Sequence, residues 1–200
     1  MVNNFLQIIF DLSSQLKIPA VIIGGLALPA YNVARTTLDI DISINVNSQK
    51  KLDKFIEVLK EKNIITKQHP KIDHTIFTVF GLNFEAEIWL KPCDAFDWDK
   101  EMVERIQLFF DNVYVLSAED FILTKLARMD RSSIDISDII QVLISTKNSM
   151  NWKYFRYRLE WIGLESEFKD ILKGFELDSN VETREISREI LNRFNNLKVD

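Results

Sequence analysis

The sequence predicts an α+β protein, in which a mixed β-sheet with flanking helices is followed by a C-terminal helical bundle. Two observations favour this class. Residues 20–116 contain short apolar runs separated by glycine, asparagine, aspartate and proline, as is typical of strands. After residue 116 the apolar residues recur at helical spacing. We therefore expect a first domain over residues 1–116 and a helical C-terminal domain over residues 117–200.

The chain is expected to start with a helix over residues 3–16, because its apolar side chains recur three or four positions apart. The apolar run over residues 21–23 indicates a buried strand, which the following glycines end in a turn. About two turns of helix fit residues 26–33. A strand over residues 38–46 comes next, and its alternation separates two faces. One face carries Asp39, Asp41 and Ser43, and the other carries Leu38, Ile40, Ile42 and Ile44.

A second long helix is expected to start at Ser48, with an apolar stripe on one side and lysines and glutamates on the other. The remaining elements of the first domain are a short edge strand (64–67), a hairpin (75–79 and 84–90), an irregular loop over the site (91–100) and two short strands (105–110 and 113–116). Helices follow from Ser117, with Asn151 as a cap and Gly163 as a stop signal.

Composition limits the class of protein. The 200 residues are 46% hydrophobic and 28% charged, as in ordinary globular domains. The formal net charge of −5 argues against a large nucleic-acid partner, which usually needs a basic surface, although a local basic patch stays open. A single cysteine, Cys93, is typical of a reducing cytosol. No apolar run approaches the ~20 residues of a membrane span, so we expect a cytoplasmic protein that does not contact a membrane.

The segment 21–44 combines a glycine turn with a pair of aspartates. Gly24 and Gly25 follow the first strand, and a turn of this kind before a helix offers free backbone N–H groups to a phosphate. Glycine also lets a phosphate approach the backbone closely. Asp39 and Asp41 then share one face of a strand, about 7 Å apart at their Cα atoms. Two carboxylates so placed suit a hard cation such as Mg²⁺.

In this order and spacing, the segment resembles the signature of the nucleotidyltransferase superfamily with the DNA polymerase β-like fold. The signature is an apolar residue, Gly-Gly or Gly-Ser, a spacer, and Asp-x-Asp or Asp-x-Glu between apolar residues. The spacer of residues 26–38 is at the upper end of the family range. The resemblance implies metal-dependent transfer of a nucleoside monophosphate from an NTP to an acceptor hydroxyl, with release of pyrophosphate. The nucleotide-binding residues it implies are Gly24 and Gly25, which cradle the phosphates.

Arg35 and Thr36 lie just before the aspartate pair and are candidate nucleotide-binding residues. They are placed to contact a phosphate. They can equally serve the turn itself through hydrogen bonds from side chain to backbone. The sequence leaves both roles open.

The superfamily places a third carboxylate on a strand beside the Asp-x-Asp strand. Glu87, which lies between two apolar residues, is the best match, and Glu85 on the same face is the competing candidate. Aspartate is the commoner family residue at this point, so the glutamate is a departure. The resemblance implies that Asp39, Asp41 and Glu87 are catalytic and hold two Mg²⁺ ions, with Mn²⁺ as an alternative, and that Glu87 assists deprotonation of the acceptor.

A second resemblance covers residues 117–138. A Ser-x-Glu-Asp motif, Lys125 in a Lys-Leu-Ala-Arg motif, Arg131, Asp135 and Asp138 follow in order. This order resembles a segment in minimal nucleotidyltransferases of toxin–antitoxin pairs and in Abi-type abortive-infection toxins. In those relatives the helix lysine faces the site, and the later aspartate anchors it. The resemblance therefore implies that Lys125 is catalytic and binds the nucleotide phosphates, and that Asp135 orients either Lys125 or Arg131.

Two further groups of residues have an ordinary interpretation and a functional one. His69 and His74 flank Pro70 in a polar loop and lack metal-ligand spacing. We expect them to be exposed, with contact to a base or a phosphate as the alternative. The basic and aromatic side chains of residues 154–158 are expected to divide between core and solvent, with stacking on a base as the alternative.

Several functions stay open. The chain is an active nucleotidyltransferase, a catalytically impaired nucleotide-binding regulatory module, or a toxin or antitoxin that modifies tRNA or a partner protein. Retained carboxylates favour the enzyme, because an idle cluster of like charges is costly. The NTP is expected in a cleft between the two predicted domains. The base preference, the acceptor (a protein, tRNA or a small molecule) and the oligomeric state are left open.

Overall fold

The computed structural model describes residues 2–177 and 180–196, and the chain divides into two compact units, Met1–Ser117 and Ala118–Asp200. The boundary expected from the sequence lies one residue before this division. The first unit is built on a mixed sheet and the second is helical, which confirms the predicted α+β class. No helix in these described ranges has both the length and the apolar character that crossing a membrane requires.

Within the described residues, the first unit holds a seven-stranded mixed sheet. Its strands are β1 (Ala20–Ile23), β2 (Asp41–Ile44), β3 (Ile65–Thr66), β4 (Ile76–Gly81), β5 (Phe84–Trp89), β6 (Gln107–Phe110) and β7 (Val113–Val115). Their order across the sheet is β3-β4-β5-β2-β1-β7-β6. β2 pairs with β5 and β1 pairs with β7 in parallel, and the other neighbours are antiparallel. β2, which begins at Asp41, therefore lies at the centre of the sheet.

The helices of the first unit are α1 (Val2–Gln15), α2 (Gln49–Glu61) and α3 (Lys100–Glu104). α1 packs on the face of the sheet opposite to the carboxylates. Its Phe5 ring lies 5.8 Å from the ring of Phe84 on β5, and Phe84 alternates in direction with Glu85 and Glu87. α2 is capped by Ser48, whose side chain accepts a hydrogen bond from the backbone N–H of Lys51. One face of β5 thus belongs to the core, while Glu85 and Glu87 on the other are exposed.

The second unit consists of helices in its described part. They are α4 (Ala118–Leu126), α5 (Ser133–Thr146), α6 (Trp152–Ile162), α7 (Glu165–Phe175) and α8 (Val181–Asn195). The rings of Phe155, Phe168 and Phe194 meet edge to face at the junction of α6, α7 and α8, with centroids 5.1 to 6.4 Å apart. α6 ends at Gly163, whose backbone is left-handed. The aromatic cluster is one part of the buried core of this unit.

The elements around the aspartate pair are shorter than the sequence predicts. Residues 24–31 form a 3₁₀ helix, in which Pro29 has no N–H for an α-helical hydrogen bond. The expected strand over residues 38–46 is wrong at its start, because β2 begins at Asp41. Asp41 pairs with Ile23, the last residue of β1, and the ladder on that side ends where β1 turns away. Leu38 is therefore not on the buried face but is 94% exposed.

The expected strand over residues 105–110 is also shortened. The chain forms α3 first, because Asp99 accepts a hydrogen bond from the N–H of Met102 at 2.9 Å and caps the helix. β6 then starts at Gln107. The irregular loop that the sequence predicts up to residue 100 therefore ends at this cap.

Candidate active site

The Gly24-Gly25 turn lies directly against the carboxylate of Asp41. Ile23 pairs with Asp41 across β1 and β2, and the chain then turns at Gly24 with a φ of 66°. A Cβ atom at Gly24 would lie 3.2 Å from Asp41 Cγ and less than 3.0 Å from Asp41 Oδ2. Both the backbone conformation and the neighbouring carboxylate therefore require glycine here. The predicted phosphate turn and the predicted metal ligand are in contact.

Asp41 and Glu87 lie side by side on adjacent parallel strands. They are partners in the register of β2 and β5, and neighbouring strands are about 4.8 Å apart. Glu85 points to the same face but lies two residues earlier, beyond the start of β2. The register therefore favours Glu87 over Glu85 as the third carboxylate, although the metal-binding role of both stays a prediction.

Asp39 lies just before β2, in an exposed segment. Its backbone N–H donates to Thr37 Oγ1 at 3.2 Å, and the Thr37 hydroxyl lies 3.5 Å from Asp39 Oδ2. A cavity of about 470 Å³ joins the Asp39 and Asp41 segment to the segment of Glu85 and Glu87. The three predicted metal ligands thus line one cavity.

The carboxylates suit a metal ion that arrives with a nucleotide. In the part of the chain that the structure describes, no group of three or more His, Cys, Asp or Glu side chains is close enough to hold a metal ion. Mg²⁺ commonly uses one or two carboxylates and completes its shell with water and substrate phosphates. The hard oxygen donors of Asp41 and Glu87 fit that pattern. The expectation of two ions held by Asp39, Asp41 and Glu87 stays a prediction.

Arg35 lies at the second glycine of the turn. A Cβ atom at Gly25 would lie 3.4 Å from Arg35 Cζ and Nε, and 3.3 Å from Thr37 Cγ2. The guanidinium is therefore at the turn where a phosphate is expected. Thr36 is exposed, and the hydroxyl that contacts Asp39 belongs to Thr37. The sequence reasoning missed Thr37, which the spacing of two residues, typical of hydroxyl-to-backbone turns, could have indicated.

The segment after β5 covers β2 on the carboxylate face. Ser43 is buried and shares the face of Asp41, as the alternation predicts. Its hydroxyl donates to the Lys91 carbonyl at 2.8 Å and accepts from Trp98 Nε1 at 3.1 Å. The predicted loop thus contacts β2 at Ser43, and none of its residues lines the carboxylate cavity, whose Leu38 and Asp39 are exposed.

In the second unit, Lys125 forms a buried group of three charges. Lys125 Nζ lies 2.7 Å from Asp135 Oδ1 and 3.1 Å from Asp138 Oδ2, and its side chain is only 8% exposed. Asp135 Oδ2 also accepts from the backbone N–H and hydroxyl of Ser132, forming a capping box at α5. Burial opposes ionisation, but the hydrogen bonds from Lys125 and Ser132 outweigh it and lower the pKa of Asp135 to about 2.

These contacts bear on two predicted roles. Asp135 bonds to Lys125, while Arg131 donates instead to the Leu126 carbonyl and to Glu167. Two carboxylates hold the Lys125 ammonium, which gives Lys125 a structural role in the second unit. Its catalytic and nucleotide-binding role stays a prediction.

The basic and aromatic residues of α6 divide between core and solvent. Tyr154 is buried and donates its hydroxyl to the Asp120 carboxylate, at 2.9 and 3.0 Å. Arg158 is also buried, with Nε 3.5 Å from Asp120 Oδ1. Tyr157 is exposed. The buried members therefore belong to the internal packing of the second unit.

Comparison with known proteins agrees with the motif. The family model described as "Nucleotidyltransferase of unknown function (DUF6036)" matches residues 1–169. Among curated proteins, none matches the chain. The solution structure of the antibiotic-resistance factor ANT(2'')-Ia has 14% sequence identity and a TM-score of 0.50, over 84% of this chain and 98% of that one. This likeness shows the fold.

Two other solved structures are more distant. The crystal structure of ANT(2'')-Ia in complex with adenylyl-2''-tobramycin has 12% identity and a TM-score of 0.49, over 82% of this chain and 97% of that one. The Megavirus polyadenylate synthase has 14% identity and a TM-score of 0.44, over 86% of this chain and 39% of that one.

Proposed function

The chain belongs to the DUF6036 family of nucleotidyltransferases, and from this premise we propose that it moves a nucleoside monophosphate from an NTP to an acceptor hydroxyl. One observation carries the proposal. The Gly24-Gly25 turn touches the Asp41 carboxylate, and Asp41 lies in register with Glu87. The turn proposed to bind phosphate is thereby adjacent to the two carboxylates proposed to bind metal, an arrangement that suits phosphoryl chemistry.

The proposed phosphate site is the glycine turn. Gly24 and Gly25 lack side chains, so that a phosphate can approach their backbone closely. The guanidinium of Arg35 at this turn would form charge-assisted hydrogen bonds with phosphate oxygens. Arg35 would thereby orient the β- and γ-phosphates, which leave as pyrophosphate.

The proposed metal ligands are Asp39, Asp41 and Glu87, holding two Mg²⁺ ions that would neutralise charge on the transferring phosphoryl group. The acceptor oxygen forms a bond to the α-phosphorus, and the bond from the α-phosphorus to the bridging oxygen breaks. The electron pair of that bond leaves with pyrophosphate. The proton of the acceptor hydroxyl passes to the Glu87 carboxylate and then to solvent.

A nucleotide-binding module with impaired transfer is the second candidate. It is favoured by the lack of three convergent ligands among the described residues. The setting in a toxin–antitoxin pair, which the second resemblance implies, is a proposal about the acceptor and leaves the chemistry unchanged.

Two measurements test the proposed function. Thermal unfolding with each of the four NTPs, with and without Mg²⁺, should give a joint stabilisation, because a ligand that binds only the native state stabilises it. Transfer of a label from an α-labelled NTP, with pyrophosphate release, separates the enzyme from the impaired module. Asp41→Asn should abolish both signals without unfolding the protein, since it relieves repulsion with Glu87.

The matched control is Asp94→Asn, the same change at an exposed aspartate that does not line the cavity. It should leave both signals intact. If none of the four NTPs stabilises the protein at millimolar concentration, nucleotide binding is refuted. Stabilisation without turnover of any acceptor preparation would favour the regulatory module.

A further inference from the structure

A second cavity, of about 320 Å³, adjoins the proposed active site. It lies between β4 and the segment of residues 67–74. Glu85 lines both this cavity and the carboxylate cavity, so the two are neighbours on the sheet. The volume is at the lower end of the range of small-molecule pockets, which are about 300–1,000 Å³.

The floor of the second cavity is the same sheet face that carries the carboxylates. Thr78 on β4 is the register partner of Glu87, and Phe80 is the partner of Glu85. Asp41, Glu87 and Thr78 therefore form one row across three strands. With about 4.8 Å between strands, Thr78 lies roughly 10 Å from Asp41 at the backbone.

The second cavity and the glycine turn lie on opposite sides of Asp41 along this row. Gly24 follows β1, on one side of Asp41, and β5 and β4 lie on the other. Phosphoryl transfer holds the attacking and leaving oxygens roughly in line. If pyrophosphate leaves towards Gly24, the acceptor oxygen therefore attacks the α-phosphorus from the side of Glu87 and β4. The second cavity is where an acceptor would enter.

The lining of this cavity differs from that of the carboxylate cavity. Lys67 Nζ lies 4.7 Å from the centre of the Phe80 ring, so that a cation and an aromatic face stand together. His74 accepts from the N–H of Lys71 through Nδ1 at 3.3 Å, so that in the neutral ring Nε2 carries the proton. His69 Nε2 lies 2.8 Å from Asp53 Oδ1. Glu85 is the carboxylate among the lining residues.

These groups select for an acceptor with a planar ring and an anionic group. Lys67 lies over one face of the Phe80 ring, so a base that stacks on that face displaces the ammonium, which then pairs with the phosphate of the same nucleotide. The His74 Nε2–H also suits a phosphate. Glu85 also lines the cavity and carries the opposite charge to Lys67, so the anionic group of the acceptor has to lie at Lys67 and His74 and not at Glu85. Both histidines are exposed, as the sequence predicts. Both also line this cavity, where the alternative role, contact with a base or a phosphate, would apply.

We propose that the cavity between β4 and residues 67–74 is the acceptor subsite and that it takes a nucleotide. This inference rests on the proposed function. The ribose hydroxyl of that nucleotide forms the bond to the α-phosphorus of the NTP, pyrophosphate leaves, and Glu87 receives the hydroxyl proton. The nucleotide is either free or the terminal residue of a single RNA strand.

Fluorescence anisotropy tests this assignment with a labelled single-stranded RNA trinucleotide, and AMP serves as the unlabelled competitor. Lys67→Gln should weaken RNA binding about tenfold. It should also lower the slope of log K against log salt by about 0.7, the value for one phosphate contact in a single strand. Phe80→Leu should weaken binding by about tenfold as well, because it removes the stacking surface.

Lys62→Gln is the matched control. Lys62 is also exposed but lies outside both cavities, and its loss should leave RNA binding unchanged. AMP that competes at the same concentration as the RNA would identify a free nucleotide as the occupant. RNA that binds at least tenfold more tightly than AMP would identify a strand end.

Two results would overturn the assignment. If Mg²⁺ and an NTP stabilise the wild-type protein but neither RNA nor AMP binds, the acceptor is not a nucleotide, although the proposed function stands. Equal effects of Lys67→Gln and Lys62→Gln would also show that the cavity is not the subsite. If Mg²⁺ and an NTP fail to stabilise the wild type, the proposed function itself is wrong, and the assignment of the cavity as an acceptor subsite is then wrong as well.

Discussion

Replacement of Gly24 by alanine tests the contact on which the proposed site depends. The new Cβ atom would meet Asp41 at less than 3.0 Å from Oδ2, and the φ of 66° is strained for any residue with a side chain. The left-handed backbone costs about 1–2 kcal/mol. Overpacking against the Asp41 side chain adds about 1–3 kcal/mol. We therefore expect Gly24→Ala to destabilise the first unit by about 2–5 kcal/mol.

Two other glycines separate the strain from the clash. Gly163 has a φ of 76°, but a Cβ atom there would meet none of the described residues within 4 Å, so Gly163→Ala should cost only the backbone strain. Gly174 lies inside α7, and a Cβ atom there would be equally open among the described residues. Gly174→Ala should stabilise the helix by about 0.5–1 kcal/mol. The three substitutions form a graded series.

Urea unfolding, followed by hydrogen exchange of peptides from each unit, is the suitable assay, because a protein with two units need not unfold in one step. Gly24→Ala should also be measured in an Asp41→Ala background. In that background the loss of stability caused by Gly24→Ala should fall to that of Gly163→Ala, because the carboxylate that clashes with the new Cβ atom is absent. Equal costs of Gly24→Ala with and without the Asp41 carboxylate would refute the contact between the turn and β2.

Three further predictions concern groups outside the cavity. Lys125→Met should destabilise the second unit by about 3–5 kcal/mol, because it removes the buried ammonium that bridges the Asp135 and Asp138 carboxylates. A cost below about 1 kcal/mol, as at exposed pairs, would contradict the structural role of Lys125. The lowered pKa of Asp135, about 2 against an ordinary 3.8, should make its stabilising effect complete above about pH 4 and lost as the pH falls through about 2. Urea unfolding of wild type and Asp135→Asn over this interval should converge at the acid end, and a constant difference would show that Asp135 does not titrate there. Burial raises the pKa of Cys93 to about 11, which lowers the fraction of reactive thiolate near pH 8 about a hundredfold. Alkylation at this pH should therefore be at least a hundredfold slower in the folded protein than in urea. Comparable rates in the two states would show that the thiol is accessible.

Local patterns were sufficient to predict the faces of the strands at the site. Alternation with a period of two assigns Asp41 and Ser43 to one face and Ile42 to the other, whatever the tertiary structure. The same rule failed at Leu38, because the extent of a strand depends on its partner. β1 ends at Ile23, and nothing near Leu38 in the sequence encodes that end.

The choice between Glu85 and Glu87 shows a second limit. A shift of two residues keeps every side chain on its face, so that alternation cannot decide the register. The register comes from pairing across the sheet, which places Glu87 opposite Asp41. The partners of Lys125 were likewise open, because its helix pattern does not tell whether α5 brings one aspartate or two to the ammonium.

The exposed position of Leu38 has a practical use for spectroscopy. Cys93 is the one thiol of the sequence, and it is buried, so a maleimide dye should leave it unmodified. Leu38→Cys would therefore accept a single fluorophore at the mouth of the carboxylate cavity, without prior removal of the native thiol. Binding of each candidate ligand could then be followed as a change in emission at the cavity itself.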